Sequence, residues 1–323
     1  MRLANLAFAS AMAMIMGATA AHAWPDRPIT VVVPFAAGGP TDTVARLVSE
    51  PMTKELGQQV IVEDVGGAGG TLGAARVAKA DPDGYTLLLH HIGQATSVSL
   101  YRKLSYDPVK GFAGIGLITD VPMTIVARHD LPPANVGELL TWVKEKGEDA
   151  TYANAGIGSA SHLCGMMFMS ALESPMTTVA YKGTGPAMTD LLGGQVDLMC
   201  DQTTNTTSQI KGGKIKAYAV TTKTKVPALP DLPTLDGSGL PGFEVAVWHG
   251  LYAPAGTPKD VVDKLAAALQ AALKDPKVIE RFADLGTEPV AADRATPAAL
   301  QAQLTAEIGR WQPIIEAAGV YAD

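Results

Sequence analysis

The stretch of residues 29–46 constrains the fold more than any other part of the sequence. It opens with Ile29–Val33, a run of mostly β-branched residues that predicts a buried strand. A loop with Gly38 and Gly39 follows, and a helical pattern comes directly after it. The start of a helix carries free N–H groups and partial positive charge, and glycine lets a ligand approach them closely. The stretch therefore predicts a corner that binds a carboxylate or a phosphate, with a plain strand-to-helix turn as the alternative.

The helix after this loop carries two further signals. Thr41 and Asp42 are residue types that cap helix starts, so we expect them at the N-cap. Pro51 stands at an interior position and lacks the N–H that the helix needs there. This predicts a kink or a division of the helix near Glu50.

Alternating strand and helix patterns continue along most of the 323 residues, and the 33 glycines suit the turns between them. The alternation predicts an α/β fold, and the length exceeds the usual size of one domain, so we expect two lobes. A second unit repeats the first: the strand Thr151–Asn154 leads through a loop rich in glycine and serine into a helix that ends near Leu172. Ser159 and Ser161 in this loop are suited to cap the helix or to bind an anion.

Polar residues also follow predicted strands, at the edge where open α/β sheets bind their ligands. Residues 90–96 follow the strand Tyr85–Leu89, and Asp201 follows a later strand. His249 lies in a predicted return strand, Phe243–Tyr252. These side chains are candidate ligand contacts between the lobes.

Motifs for enzymes and cofactors are incomplete in this chain. The loop Gly66–Thr71 is similar to a dinucleotide-binding loop, but it follows the second predicted strand rather than the first. His162 stands directly after Ser161 without a Gly-x-Ser-x-Gly motif, which argues against a serine hydrolase. His90 and His91 are adjacent, and no carboxylate is spaced to complete a metal site with them. The sequence predicts ligand binding without catalysis, cofactor or metal.

Residues 1–23 have the features of a secretory signal peptide. Arg2 supplies a positive charge, an apolar segment follows, and an Ala-x-Ala motif ends at Ala23, so we expect the exported chain to begin at Trp24. Removing Arg2 changes the formal net charge from −7 to −8. An acidic chain without a basic cluster argues against nucleic acid as a partner. The predicted location is the periplasm.

Cys164 and Cys200 are the two cysteines of the chain. Both lie near the carboxyl ends of predicted strands in the same lobe, and an exported protein meets conditions in which disulfides persist. We predict a disulfide between them. Two buried free thiols are the alternative.

Several segments together resemble one known family. The chain has WPDRPI at its predicted exported start, followed by PFAAGGPTDTVAR, GAGGTLGAARVAKADPDGYTLL, YRKLSYDPVKGF, YANAGIGSASHL, YKGTGPAMTDLLGGQVDLMCD and GLYAPAGTP. Spread over the whole exported chain, these segments closely resemble the substrate-binding proteins of tripartite tricarboxylate transporters, the Bug or TctC family. The loop at residues 63–70 lacks the arginine that is usual in the family, and residues 90–94 are an uncommon filling for their loop.

The resemblance implies a two-lobed periplasmic binding protein of the Venus-flytrap type, with a central β-sheet flanked by helices in each lobe. Lobe one would comprise residues 24–124 and 243–323, and lobe two residues 125–242. Such proteins capture a small carboxylate between the lobes and deliver it to a membrane permease. An exported sensor that presents the acid to a receptor is the alternative. No long coiled coil is evident, which predicts a monomer.

In the family, backbone amides of two loops hold the carboxylate, and these loops correspond to residues 35–42 and 158–162 here. Citrate-like, C4-dicarboxylic and aromatic acids all fit this arrangement. The two anion corners and the uncommon loop at residues 90–94 favour an aromatic dicarboxylate such as terephthalate. The predicted ligand-binding residues are Phe35, Gly38, Gly39, Pro40, Thr41, Asp42, His91, Gln94, Thr96, Gly158, Ser159, Ala160, Ser161, His162, Thr184, Asp201 and His249.

Overall fold

The computed structural model describes residues 24–322, and the predicted signal peptide lies outside this part of the chain. The nine strands within it alternate with helices, as the sequence pattern predicts. In chain order they are β1 Ile29–Val33, β2 Val60–Asp64, β3 Thr86–His91, β4 Phe112–Arg128, β5 Thr151–Asn154, β6 Thr177–Ala180, β7 Leu198–Gln202, β8 Ile215–Val220 and β9 Ala246–Pro254.

Ten α-helices and three 3-10 turns join these strands in the described residues. Between residues 24 and 322, none of the helices is both long and apolar enough to cross a membrane. The helices are α1 Pro40–Leu56, α2 Thr71–Ala78, α3 Gly93–Leu100, α4 Val136–Lys146, α5 Ala160–Leu172, α6 Thr184–Leu192, α7 Thr203–Lys211, α8 Lys259–Ala272, α9 Pro276–Asp284 and α10 Pro297–Ala318, and the 3-10 turns are Ala68–Gly70, Gly147–Asp149 and Asp236–Ser238.

One connected sheet serves two lobes. In lobe one, β1 pairs in parallel with β2 and β3, and β9 joins β3 in the antiparallel direction. In lobe two, β5 pairs in parallel with β6 and β7, while β7 and β8 both pair antiparallel with β4. Helices pack against both halves of the sheet. The predicted α/β, two-lobed architecture is confirmed.

Strand β4 belongs to both lobes. Its residues 112–122 pair with β9, and its residues 123–127 pair with β7. The change of partner lies close to the predicted lobe boundary between residues 124 and 125. The boundary itself stays a prediction, and this change of pairing supports it.

The expected N-cap and the expected division of helix α1 are both wrong. The N-cap residue is Gly39, in an extended conformation, rather than Thr41 or Asp42, and Pro40 is the first helical residue. Proline is preorganised for that position and needs no N–H there. The helix also continues through Pro51 without a division. Its buried face extends past the proline to Met52, so packing holds both parts of the helix on the sheet.

The return strand β9 begins at Ala246, later than the predicted start at Phe243. The residue just before it is still bound to lobe two, because the Val245 N–H donates to the carbonyl of Thr221 at 3.1 Å. The Thr221 hydroxyl in turn donates to the carbonyl of Val245 at 2.6 Å. Because of these two hydrogen bonds, the chain joins the lobe-one sheet only at Ala246.

The predicted disulfide is confirmed. Cys164 in α5 is bonded to Cys200 in β7, with a Cα–Cα distance of 6.1 Å and a sequence separation of 36 residues. Both cysteines are fully buried. The bond therefore joins the helix that begins at the second glycine loop to the strand that ends at Asp201.

Replacement of both cysteines by alanine is expected to lower the free energy of unfolding by about 4 kcal/mol, because the unfolded chain loses a cross-link that closes this loop. The measurement is urea unfolding of the exported chain with and without a reductant. The reductant should lower the midpoint of the wild-type protein and leave that of the double variant unchanged. An unchanged wild-type midpoint, with reduction verified by thiol titration, would contradict the prediction.

Candidate functional site

A small cavity lies between the two lobes, where strands of both lobes end and helices begin. The space in it that is open to a water-sized molecule is about 10 Å³. We call this cavity and its wall the cleft. The cleft is lined by Phe35, Gly39, Pro40, Thr41, His91, Ala155, Ser159, Ala160, Ser161, Thr184, Asp201 and Gln202.

Lobe one contributes the start of α1. The N-cap Gly39 makes no side-chain cap, so the N–H groups of the first turn have no side-chain acceptor at that position. Asp42 stabilises the loop on the side away from the cleft. Its carboxylate accepts a hydrogen bond from the Gly38 N–H at 2.9 Å and forms an ion pair with Nε of Arg46 at 2.7 Å. The glycine loop is thereby held in place while the helix start faces the cleft.

Lobe two contributes the start of α5. The Ser159 hydroxyl oxygen accepts from the His162 N–H at 3.2 Å and caps the helix. The Ser161 hydroxyl oxygen accepts from the Ala155 N–H at 2.9 Å and lies 3.1 Å from that of Ser159. The serines thus fix the loop, which leaves the N–H groups of Ala160 and Ser161 at the first turn for a ligand.

Two more helices of lobe two begin at the cleft. Thr184 is the first residue of α6, and Gln202 is the N-cap residue of α7. Neither helix has a side-chain cap. With α1 and α5, four helices therefore direct their N-terminal N–H groups and partial positive charge toward one small volume.

The structure separates the predicted ligand-binding residues into two groups. Ten of them line the cleft, and Gly38, Asp42, Gln94, Thr96, Gly158, His162 and His249 lie outside its wall. Ala155 and Gln202 line the cleft without having been predicted. Gln202 follows Asp201 at the end of its strand, so the position was a usable signal. Ligand contact stays a prediction for all of these residues.

Several of the residues outside the wall support the loops that form it. Nε2 of Gln94 donates to the carbonyl of Pro108 at 2.8 Å, away from the cleft. The Thr96 hydroxyl donates to the carbonyl of Gly158 at 3.3 Å, a bond from lobe one to lobe two. Nδ1 of His162 accepts from the Gly158 N–H at 3.3 Å.

Three buried histidines lie beneath the lobe-one side of the cleft. The ring of His91 stacks on Phe35 with centroids 4.7 Å apart, and His90 and His249 are 4.9 and 5.8 Å from it. Nδ1 of His90 accepts from the His91 N–H at 2.8 Å, and Nδ1 of His91 accepts from the Gly93 N–H at 3.0 Å. Each of these two rings therefore carries its proton on Nε2 in the neutral form.

Burial sets the charge of these rings. It lowers the pKa of His90 and His249 to about 3, and it holds the pKa of His91 well below the usual 6.5. The histidines are therefore neutral near pH 7. No group of three metal-ligating side chains that could hold a metal ion occurs in residues 24–322.

Asp201 is the carboxylate of the cleft wall. Asp201 is 1% exposed, and one of its carboxylate oxygens accepts a hydrogen bond from Nδ2 of Asn205 at 2.5 Å. Burial raises the pKa of Asp201 to about 6, and the bond from Asn205 opposes that shift. The carboxyl group is therefore mainly ionised at pH 7.5.

The two lobes touch directly beside the cleft. The Ala36 N–H of lobe one donates to the carbonyl of Lys182 in lobe two at 3.0 Å. Gly185 at the start of α6 is so close to lobe one that a Cβ built on it would lie 2.7 Å from the carbonyl oxygen of Ala37. The structure is thus a closed form, and its closure depends on a position without a side chain.

The buried histidines predict that the protein loses stability in mild acid. The unfolded chain protonates its histidines near pH 6.5, whereas folded His90 and His249 resist protonation down to about pH 3. Their stabilising contribution is complete above pH 6.5 and is lost as the pH falls. Asp201 has a raised pKa in the folded state, so its protonation between about pH 6 and 4 stabilises the folded protein. This gain offsets only one of the protons that the unfolded histidines bind. The free energy of unfolding should fall by about 1–3 kcal/mol per pH unit between pH 6 and 4.

Urea unfolding at a series of pH values measures this slope. The variant His249→Gln removes one histidine that only the unfolded chain protonates, so the slope should fall by about 1.4 kcal/mol per pH unit. The variant of exposed His129→Gln is the matched control and should keep the wild-type slope. A flat profile between pH 6 and 4 would contradict the prediction.

Comparison with known proteins agrees with this architecture. The family model of the tripartite tricarboxylate transporter family receptor, TctC, matches residues 44–320. A UPF0065 protein from the TAR-I ttuE-ttuC' intergenic region of Agrobacterium vitis is 57% identical over 302 residues, which cover 94% of this chain and 87% of that protein.

Solved structures give the same result. The periplasmic binding protein BugD is 57% identical with a TM-score of 0.90, and the alignment covers 92% of this chain and 99% of that one. MatC from Rhodopseudomonas palustris, solved with bound malate, is 43% identical with a TM-score of 0.88, over 90% of this chain and all of that one. The family consists of transport receptors rather than enzymes, as the sequence predicts. The chain therefore belongs to the TctC family of tripartite tricarboxylate transporter receptors.

Proposed function

We propose that this protein binds a short dicarboxylate between its lobes in the periplasm and delivers it to the membrane permease of a tripartite transporter. The convergence of four helix N-termini on the cleft is the observation that carries the proposal. Helix N-termini bind carboxylates through free N–H groups and partial positive charge. Lobe one and lobe two each offer such a corner, so a ligand with two carboxylates would engage both lobes and favour closure.

The cleft in this closed form is too small for any of the candidate acids. The space open to a water-sized molecule is about 10 Å³, about enough for one water, so the lobes must move apart to admit a ligand, and a small acid needs the least movement. The malate bound to MatC is a C4-dicarboxylate, and MatC has the same fold. A C4-dicarboxylate is therefore our first candidate.

An aromatic dicarboxylate such as terephthalate is the second candidate. The stacked rings of Phe35 and His91 form one wall of the cleft, and the face of such a pair suits a flat ring. The lobes would have to open further for terephthalate than for a C4-dicarboxylate. Binding of the two acid classes distinguishes the candidates.

Membership of the family supports delivery to a permease, and the predicted signal peptide supports the periplasmic location. Presentation of the bound acid to a signalling receptor is the alternative role, and it would use the same cleft. Loss of acid uptake after deletion of the gene, with restoration by the wild-type protein, would support transport. Unchanged uptake with a lost transcriptional response to the acid would favour the sensory role.

Titration calorimetry of the chain from residue 24 onward tests the binding proposal. Succinate, malate, adipate, citrate and terephthalate are titrated separately at pH 7.5. We expect the tightest binding from a C4-dicarboxylate. Binding of terephthalate alone would replace the first candidate by the second, and no binding by any of these acids at millimolar concentration would reject the proposed function.

The variant Gly185→Ala tests whether binding requires the closed form. Its Cβ would collide with the Ala37 carbonyl of the other lobe in the closed form. Such overpacking costs about 1–3 kcal/mol. If the ligand binds to the closed form, its affinity should fall by about tenfold or more. Gly309→Ala is the matched control, because a Cβ at this position in α10 meets nothing within 4 Å. Equal affinity of the two variants would show that closure in this geometry is not part of binding.

A further inference from the structure

The lobe-two wall of the cleft presents hydrogen-bond acceptors. Asp201 and Gln202, at the end of β7, both line the cleft and are 1% and 2% exposed. Asn205 donates to one carboxylate oxygen of Asp201 and holds the group in place. The side-chain oxygen of Gln202 has no hydrogen-bond partner among the described residues. A buried polar atom without a partner is costly, so this wall is suited to a ligand that donates hydrogen bonds.

Asp201 also differs in charge from the rest of the wall. Within the described cleft lining, it is the only aspartate or glutamate, and neither lysine nor arginine lines the cleft. His91 is neutral, and its Nδ1 is already an acceptor for the Gly93 N–H. A ligand carboxylate placed beside ionised Asp201 would meet repulsion that no cation of the wall relieves.

An unsubstituted dicarboxylate offers only acceptors to this wall. Its carboxylates suit the helix N-termini, but its carbon chain offers no donor to Asp201 or to the unpartnered side-chain oxygen of Gln202. A hydroxyl or ammonium group on the chain would supply such a donor. Such charge-assisted hydrogen bonds are stronger than neutral ones.

We propose that Asp201 is a specificity-determining residue that accepts a hydrogen bond from a hydroxyl or ammonium group beside a ligand carboxylate. The preferred ligands are then 2-hydroxy or 2-amino dicarboxylates rather than plain diacids. This inference rests on the proposed function, because it concerns the same cleft. The helix N-termini bind the carboxylates, and Asp201 selects the substituent.

Titration calorimetry at pH 7.5 tests the inference with C4 acids of matched shape. Malate (both enantiomers), aspartate and succinate are compared with methylsuccinate, in which a methyl group replaces the hydroxyl. The wild-type protein should bind the better of the substituted acids at least about tenfold more tightly than methylsuccinate, since a bond to a charged acceptor is lost. This measurement needs no variant.

The variant Asp201→Asn is isosteric and removes the charge. It should reduce the ratio of affinities between the preferred acid and methylsuccinate to within about threefold, mainly by weakening the preferred acid. Asp190→Asn is the matched control, because Asp190 in α6 accepts from the Tyr181 hydroxyl at 2.6 Å and lies outside the cleft wall. It should keep the wild-type ratio. Thermal unfolding verifies that both variants are folded.

Two results would overturn the inference while leaving the proposed function intact. One is wild-type binding of methylsuccinate or succinate as tight as that of malate and aspartate. The other is a folded Asp201→Asn variant with the wild-type ratio. If no dicarboxylate binds to the wild-type protein, the proposed function fails, and the inference fails with it.

Discussion

The direction of the parallel strands determines where binding groups lie in this protein. Residues at the carboxyl ends of β1, β5 and β7 run directly into loops that line the cleft. The helices that follow therefore start at the cleft, and each start has N–H groups that the helix cannot use. The cleft gains positive potential from aligned peptide groups, although neither lysine nor arginine is among its lining residues.

Closure increases the effect of these groups. Direct contact between the lobes, such as the bond from Ala36 to Lys182, excludes water from around the cleft. Hydrogen bonds and charges act more strongly where water is excluded. The neutral histidines below the cleft fit this scheme, because they add no charge of their own, and the tautomers of His90 and His91 are fixed by backbone N–H groups.

Much of the fold could be predicted from the sequence, because it depends on local patterns. The strand Ile29–Val33, the second glycine loop and the Cys164–Cys200 pair are each signalled by a few neighbouring residues. The helix cap was predicted incorrectly, because Pro40 and the extended Gly39 satisfy the helix start without a side chain. Residue type alone could not show whether the helix begins with a side-chain cap or with glycine followed by proline.

The orientation of side chains at the site was less predictable. Gln94 turns toward Pro108, and Asp42 turns back to Gly38, because long-range packing and loop geometry decide where each polar group finds its partner. Gln202 was overlooked although it adjoins Asp201, because β7 ends at Gln202, beyond the predicted strand end at Met199. The residues that surround a ligand are thus fixed by tertiary contacts that a linear pattern does not contain.

The continuity of β4 has a mechanical consequence. A strand of 17 residues passes from one lobe to the other, and its partner β9 stays paired with it up to the crossing point. Motion of the lobes must therefore twist a hydrogen-bonded ribbon, which resists bending more than a flexible loop does. The register shifts in this ribbon, between Gly114 and Gly116 and between Leu117 and Thr119, are the places where the ladder is already interrupted. A third register shift, between Ile125 and Val126 in the pairing of β4 with β8, lies beside the crossing point, so the sheet should yield most easily there when the lobes move.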